Sequence, residues 1–344
     1  ARRIIQVGPL QLHVNEVVKI AMVLYLAWAI DAFKRKELKL FKENELTQKI
    51  FYIYAPFLIT TLMLLPGSNS AALFTGGIMF LVILLGGGSG RDMFFLLLAG
   101  AAALALCVGI YKISDGKVMK RIGTGLSRVF DKEDYEAKVM NSKAGSIEYY
   151  QALDEIRQPY SAKIAVHQGG FFGKGPGQST QRYVVPDISE DYMYSFIIEE
   201  YGFFGGIIIM ILFLSLLARS AIIVRNCGKD LYAKLAVAGL ALLISGQAFL
   251  HICVNVDIGP MTGQTLPLVS HGASAFLCFC IAFGVILSIS KIASKRIERE
   301  QKNADPLLDL TQESVAIEND LADLDDFETG VDMNQELNDE QYGI

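Results

Sequence analysis

The stretch GGFFGKGPGQSTQRYVVPDISEDYMYSFIIEEYGFFG, residues 169–205, joins a glycine-rich, cationic loop to the start of a long apolar segment. The junction carries two adjacent acids, Glu190 and Asp191. A carboxylate at a membrane boundary is costly to keep there, so its presence calls for a functional explanation. The junction therefore indicates both a membrane-embedded fold and the position of a site.

Composition places the chain among integral membrane proteins. Apolar residues make up 52% of its 344 residues, and the mean hydropathy is +0.37, which is too apolar for one buried core. Seven apolar runs approach the roughly 20 residues that span a bilayer. They are residues 15–33, 50–66, 71–87, 92–112, 191–217, 231–255 and 268–290. The predicted fold class is all-α: a polytopic membrane protein with seven transmembrane helices.

Basic residues in the short loops predict the orientation. Residues 34–49 carry six Lys and Arg residues, and loops of this kind stay in the cytoplasm. Alternation from this loop places residues 66–70, 113–190 and 256–267 outside. Long loops translocate regardless of charge, so the basic residues within 113–190 do not change the assignment. We expect an outer N-terminus, a cytoplasmic C-terminus and one large extracytoplasmic loop, residues 113–190.

The C-terminal residues differ in composition from the rest. From Asp305 onward there are 13 acidic residues and no Lys or Arg, whereas the remainder has 31 basic and 23 acidic residues. Few apolar residues accompany these acids, so the segment cannot bury a core. We predict a transmembrane domain over residues 1–292 and an acidic, disordered cytoplasmic tail over 293–344, which acts as a tether or partner-binding segment.

The glycine-rich loop has two interpretations. Its spacing excludes a nucleotide-binding P-loop, because Lys174 is followed by Gly175 rather than by Ser or Thr. Either the glycines permit tight turns, or backbone N–H groups and cations of the loop receive a phosphate group. The cations concerned are Lys163, Lys174 and Arg182.

Two further features concern acids near predicted helix ends. Asp191 lies in a first helical turn, where acids are common because they complement the helix dipole, whereas burial beside Glu190 would oppose its charge. Glu16 and Lys19 lie three residues apart on one helix face. An exposed pair of this kind contributes a few tenths of a kcal/mol. Within a membrane segment the pair is expensive, which favours a functional or network-forming role.

Three motifs, in order, resemble the SEDS family (shape, elongation, division and sporulation), polytopic enzymes that polymerise peptidoglycan glycan strands. Residues 169–205 resemble the pattern GG-x-x-GKG-x-G…LPE-x-x-[ST]DFIFA-x-x-EE-x-G. Residues 257–274, DIGPMTGQTLPLVSHGAS, resemble P-x-TG-x-x-LP-[LF]-[IV]-S-x-GG-[ST]. Residues 1–19, ARRIIQVGPLQLHVNEVVK, resemble GARRW…QPSE-x-[AV]K. The resemblance covers residues 1 to about 292 and favours the division-type branch.

The resemblance also implies which residues form the site. The family has ten membrane helices, so we expect three upstream helices to be missing from this sequence. Asp191 matches the family's essential acid, as a catalytic base or as a ligand for Mg²⁺ or Mn²⁺, and no organic cofactor is implied. Expected substrate-binding residues are Lys163, Lys174, Arg182, Ser270 and Gly272, and the expected polar network consists of Arg3, Glu16 and Lys19.

The activity implied is polymerisation of lipid II, a lipid-linked disaccharide-pentapeptide, at the outer face of the cytoplasmic membrane for septal wall synthesis in cell division. The alternatives are a lipid II flippase, an elongation-type polymerase, and a scaffold whose tail recruits division proteins. Expected partners are lipid II, a class B penicillin-binding transpeptidase and other division proteins, and nucleic acid is not among them.

The sequence departs from the family pattern at three places. His13 and Asn15 replace the Gln and Ser of QPSE. Residues 66–70 read PGSNS where the family has PD-x-G, so an acid is lost. His271 and Ala273 occupy the Tyr and second Gly positions of S-Y-GG. Since the acids and the lysine of the expected site are retained, we interpret these changes as a divergent lineage rather than a loss of activity.

Overall fold

The computed structural model describes residues 4–7, 10–41, 44–113, 139–183, 188–259 and 262–304. Within these ranges the chain is helical, apart from its loops and one short β-hairpin. The chain divides into two compact units, residues 1–290 and 291–344. Arg3 of the expected polar network and the acidic residues from 305 onward lie outside the described residues.

The chain enters its first long helix through a β-hairpin. Strands β1 (Ile4–Val7) and β2 (Leu10–His13) pair antiparallel, with Ile4 opposite His13. Helix α1 (Val14–Lys34) begins directly after His13 and carries Glu16 in its first turn. The hairpin is an addition to the predicted all-α fold, and it fixes where His13 and the start of α1 lie.

Short caps and turns organise the next four helices. Asn44 caps the first of them by accepting from Leu46 N at 3.1 Å, and Ser68 caps a later one by accepting from Ala71 N at 3.3 Å. The connection at residues 66–70 joins two helices that pack against each other. The elements are α2 (Glu45–Lys49), a π turn (Ile50–Tyr54), α3 (Ala55–Leu64), α4 (Asn69–Leu85) and α5 (Gly90–Ile113).

The predicted large loop contains a long helix. Helix α6 (Ile147–Gly169) starts at Ser146, whose hydroxyl accepts from Tyr149 N at 3.1 Å, and it accommodates Pro159 in its interior. The glycine-rich segment follows, and then the single-turn helix α7 (Ile188–Asp191). The two acids of the junction therefore lie on α7.

Three long helices complete the described chain: α8 (Met193–Asn226), α9 (Leu231–Asn255) and α10 (Ala273–Ala304). Each is apolar and long enough to cross a membrane. Helix α4 is a shorter apolar helix. The helical fold class and the multi-pass character of the protein are confirmed, whereas seven crossings stay a prediction, although each of the seven apolar runs lies largely on a helix.

Helix α9 lies at the centre of the bundle, packed against α1, α4 and α8. Of its most apolar stretch, 61% is buried, compared with 11% for α8. Gly239 explains the close approach, since a Cβ there would lie 2.6 Å from Val23 Cγ1 and 2.8 Å from Val82 Cγ2. Even a methyl group at this position would force the side chains of Val23 and Val82 to shift.

Candidate functional site

One cavity gathers polar side chains from distant parts of the chain. Its volume is about 470 Å³. It is bounded by the start of α1, the turn before α4, α7 and the first turn of α10. Residues 262–272, the segment before α10, complete its wall. Its lining residues include His13, Glu16, Glu190, Asp191, His271 and Gly272. The structure thus brings three predicted site residues, Glu16, Asp191 and Gly272, to one place.

Behind this cavity, Lys19 forms the centre of a buried polar network. Its side chain is 1% exposed, and its Nζ lies 2.7 Å from Glu16 Oε1. Lys19 also donates to Gln247 Oε1 at 2.6 Å and to Gln264 Oε1 at 3.1 Å. The Glu16–Lys19 pair is therefore a buried ion pair with all three ammonium protons directed to oxygen acceptors, rather than an isolated surface pair.

Helix α9 holds the segment before α10 in place. Gln247 Nε2 donates to Thr265 O at 3.0 Å, and His251 Nδ1 lies 2.6 Å from Gln264 O. Because a carbonyl oxygen only accepts, the His251 imidazole donates from Nδ1, which leaves Nε2 to accept from Tyr194 N at 3.4 Å. His251 therefore connects three segments as a neutral ring.

These residues of α9 were not predicted as part of the site. Gln247, His251 and Asn255 are spaced four residues apart, so they lie on one face of an otherwise apolar helix. Polar residues with this spacing inside a membrane segment face the protein interior or a cavity. The spacing was available in the sequence, and it is the signal that could have identified them.

Asp191 is positioned by side chains from two other segments. Asn255 Nδ2 donates to Asp191 O at 3.3 Å, and Asn255 Oδ1 accepts from Ser195 N at 2.9 Å. Ser270 Oγ donates to Glu190 O at 2.9 Å. The Asp191 side chain is half-buried and lines the cavity. Helix α7 is thus fixed through its backbone carbonyl groups, and Asp191 lies at the wall of the cavity.

Ser270 and Gly272 have different places in this arrangement. Ser270 is 7% exposed, and its hydroxyl also accepts from Leu266 N at 2.8 Å, so it positions α7 against the segment before α10. Gly272 lines the cavity directly. The substrate contacts predicted for both residues stay predictions.

The glycine-rich loop packs against a break in α8. At Gly202 the backbone has φ 73°, which interrupts the helix. A Cβ at Gly202 would lie 2.2 Å from Phe171 O, and one at Gly173 would lie 2.2 Å from Glu200 O. Gly175 N donates to Glu200 O at 2.9 Å. These glycines therefore permit a close approach between two backbone segments. The finding supports the first of the two interpretations of the loop, in which the glycines serve the backbone conformation.

Lys174 belongs to the same packing. Its Nζ lies 2.7 Å from Glu199 Oε1, and the Glu199 side chain is fully buried. The Glu199 carboxylate also accepts from Ser179 Oγ and, at 3.0 Å, from Thr180 N. The structure thus gives Lys174 a role in holding the loop on α8 that the sequence analysis did not anticipate. Its predicted contact with substrate stays a prediction.

The remaining predicted cations lie elsewhere on the surface. Lys163, on α6, lies 2.8 Å from Asp257 Oδ2. It lines a smaller cavity of about 170 Å³ together with Tyr192 and Asn255. Arg182 has an exposed side chain in a single 3-10 turn. Neither residue is among the described residues that line the cavity of Asp191.

The residues around Asp191 do not by themselves form a metal site. Over the described ranges, no three His, Cys, Asp or Glu side chains converge as such a site requires. Glu16 and Glu190 line the same cavity, but Glu16 is already paired with Lys19. The Mg²⁺ or Mn²⁺ expected at Asp191 therefore stays a prediction that rests on this one acid.

Several curated proteins are similar to this chain. It is 38% identical over 128 residues to stage V sporulation protein E of Bacillus subtilis (strain 168), which covers 37% of this chain and 35% of that protein. It is 37% identical over 130 residues to a probable peptidoglycan glycosyltransferase FtsW of Coxiella burnetii, with coverages of 37% and 35%. The chain thus spans about a third of the length of the curated relatives it matches.

Two solved structures share the fold, and a family match covers most of the chain. The structure reported under the heading "Structural coordination of polymerization and crosslinking by a peptidoglycan synthase complex" has a TM-score of 0.56 at 22% identity, over 85% of this chain and 74% of that chain. A mutant of the rod shape determining protein RodA from Thermus thermophilus has a TM-score of 0.50 at 21% identity, over 85% and 70%. Residues 1–295 match the cell cycle protein family FtsW/RodA/SpoVE. The chain therefore belongs to the FtsW/RodA/SpoVE family, to which its three motifs pointed.

Proposed function

We propose that the protein is a peptidoglycan glycosyltransferase of the division type, which lengthens glycan strands from lipid II. Relatives named as probable peptidoglycan glycosyltransferases support the reaction class. The observation that carries the proposal is the placement of Asp191, which lines a cavity directly before a membrane-capable helix. A lipid-linked substrate can present its head group at such a position while its chain stays in the bilayer.

In the proposed reaction, the 4-hydroxyl of the incoming lipid II attacks the anomeric carbon of the growing chain. A C–O bond forms there as the bond to the undecaprenyl pyrophosphate breaks. The carboxylate of Asp191 accepts the proton of the attacking hydroxyl, and the bonding electrons leave with the pyrophosphate. Positioned general bases contribute about 10²–10⁴-fold to such steps.

The polar network supports this step by fixing the walls of the cavity. Lys19 and Gln247 hold the segment that contains Gln264 and Thr265, and both of these residues line the cavity. Asn255 and Ser270 hold α7. Four contacts between distant segments thus fix the chain around the cavity, which supports the preorganisation that a general base requires.

Chelation distinguishes the two roles of Asp191, as a general base or as a ligand for Mg²⁺ or Mn²⁺. A general base alone keeps its activity when EDTA removes divalent cations. Loss of activity in EDTA, with recovery on adding Mg²⁺ or Mn²⁺, would assign the cation to the reaction.

The proposed membrane arrangement follows from the Lys and Arg residues of the short loops. It has seven crossings of the cytoplasmic membrane, an outer N-terminus and a cytoplasmic C-terminus. The large loop and the cavity of Asp191 then face the outside, where lipid II is polymerised. A class B penicillin-binding transpeptidase is the proposed partner. One of the two structural relatives belongs to a peptidoglycan synthase complex that coordinates polymerisation and crosslinking, which supports this pairing.

The proposal is tested with the purified chain in liposomes that contain fluorescent lipid II. A polymerase produces glycan ladders on a gel, whereas a flippase moves lipid II between leaflets without lengthening it. The buried position of Lys19 and its three partners argue against an open translocation path at this pair. Transport without any polymer would overturn the proposed function.

A further inference from the structure

The cavity of Asp191 is rich in negative charge. Three carboxylates line it, those of Glu16, Glu190 and Asp191, and its described lining residues include no Lys or Arg. A substrate that carries a pyrophosphate group brings further negative charge, and carboxylates in the cavity wall disfavour its binding. Binding therefore requires hydrogen-bond donors from other side chains of the cavity.

The lysines that the sequence analysis singled out do not supply these donors within the cavity. Lys174 pairs with Glu199 at 2.7 Å, and Lys163 pairs with Asp257 at 2.8 Å. Lys19 lies behind the cavity wall, with its protons directed to Glu16 and two glutamines. Each lysine thus has an acidic protein partner, and none of the three is among the described lining residues of the cavity.

Two imidazoles are among the described lining residues of the cavity, and they come from opposite ends of the sequence. His13 ends strand β2, and His271 lies in the turn before α10. Both side chains are exposed and both line the cavity. Within the described part of the chain neither imidazole has a hydrogen-bond or ion-pair partner. His251 differs, since it is buried and bonded to Gln264 O.

The same two positions depart from the pattern of the family. His13 stands in place of Gln in QPSE, and His271 stands in place of Tyr in S-Y-GG. The two motifs are separated by most of the chain, yet both substitutions meet at one cavity. Both departures place an imidazole at the same cavity, where the two rings can act on one ligand.

We propose that His13 and His271 together bind the phosphate groups of a polyprenyl-linked pyrophosphate. This inference rests on the proposed function for the identity of the ligand. An imidazole carries at least one N–H donor in either protonation state, so each ring can donate to a phosphate oxygen. The pair holds the pyrophosphate in the cavity of Asp191 and offsets the repulsion from its carboxylates.

The test measures binding to the full chain in nanodiscs, with undecaprenyl pyrophosphate as the probe and phosphate-free undecaprenol as its control. The double variant His13→Ala/His271→Ala should bind undecaprenyl pyrophosphate at least tenfold more weakly, with undecaprenol unaffected. Inorganic pyrophosphate should displace the lipid from the parental protein. The variant His13→Gln/His271→Gln should recover part of the loss, because an amide also donates N–H bonds.

His167→Ala is the matched control, since His167 is exposed on α6 and is not among the described lining residues of the cavity. Equal binding of undecaprenyl pyrophosphate by the double variant and the parental protein would overturn the inference, as would equal losses in His167→Ala. Binding requires no turnover, so a parental protein that binds this lipid but makes no polymer contradicts the proposed function and leaves the histidine inference standing.

Discussion

Replacing Lys19 by methionine removes the charge at the centre of the buried network and keeps most of the side-chain volume. Lys19 is 1% exposed and Glu16 is 13% exposed, so the substitution leaves a carboxylate with little access to water. Removing one partner of a buried ion pair costs about 3–5 kcal/mol, whereas an exposed pair contributes under about 1 kcal/mol. We expect a loss of about 3 kcal/mol in the free energy of unfolding, at the lower end because Glu16 keeps some hydration.

The assay is unfolding by SDS in mixed micelles, followed by circular dichroism. Arg35→Met is the matched control, because Arg35 directly follows α1 and pairs with Asp31 of that helix at 3.0 Å, with its own side chain 51% exposed. The double variant Glu16→Gln/Lys19→Met should lose less than the sum of its single changes, since no unpaired charge remains. If Lys19→Met loses no more than Arg35→Met, the buried-network reasoning is wrong.

Three further predictions concern other parts of the chain. Glu199→Gln should destabilise the glycine-rich loop and speed its cleavage by proteases several-fold, because Lys174 loses its charged partner, whereas the exposed Glu190→Gln should not. Deleting residues 305–344 should leave glycan synthesis by the purified protein intact, since the tail cannot bury a core. A membrane-impermeant thiol reagent should label Phe172→Cys in whole cells, and should not label Lys39→Cys, since the 34–49 loop is predicted to be cytoplasmic.

Each of these has a contrary outcome. Unchanged proteolysis of Glu199→Gln would show that the loop is held by its glycines alone. Loss of most activity on tail deletion would give the tail a part in synthesis. Labelling of Lys39→Cys from outside would reverse the topology.

The helices were predictable because apolar runs of membrane length are a local property of the sequence. Helix α6 was not predicted, since its residues are mixed in polarity and Pro159 interrupts them. The break in α8 at Gly202 could not be predicted either. It depends on the backbone of Phe171 approaching from a distant segment, and no local pattern encodes that approach.

The site was predictable only where it depends on a local pattern in the sequence. The spacing of Glu16 and Lys19 indicated a pair, but their partners Gln247 and Gln264 lie more than two hundred residues away. The charge of the glycine-rich loop indicated that Lys174 contacts substrate. Its pairing with the buried Glu199 was not predictable, because the two residues meet only when the loop packs on α8. Pairings between distant segments are set by tertiary packing, and a single sequence does not show them.

The central claim is that the Asp191 carboxylate accepts the proton of the attacking hydroxyl. Asp191→Asn keeps the size of the side chain and removes its charge, so lipid II binding and membrane insertion should survive. Polymerisation by the purified variant in liposomes should fall by about 100-fold or more, the contribution expected of a general base. Glu190→Gln should stay close to the parental rate. An Asp191→Asn protein that polymerises lipid II at nearly the parental rate would contradict the account.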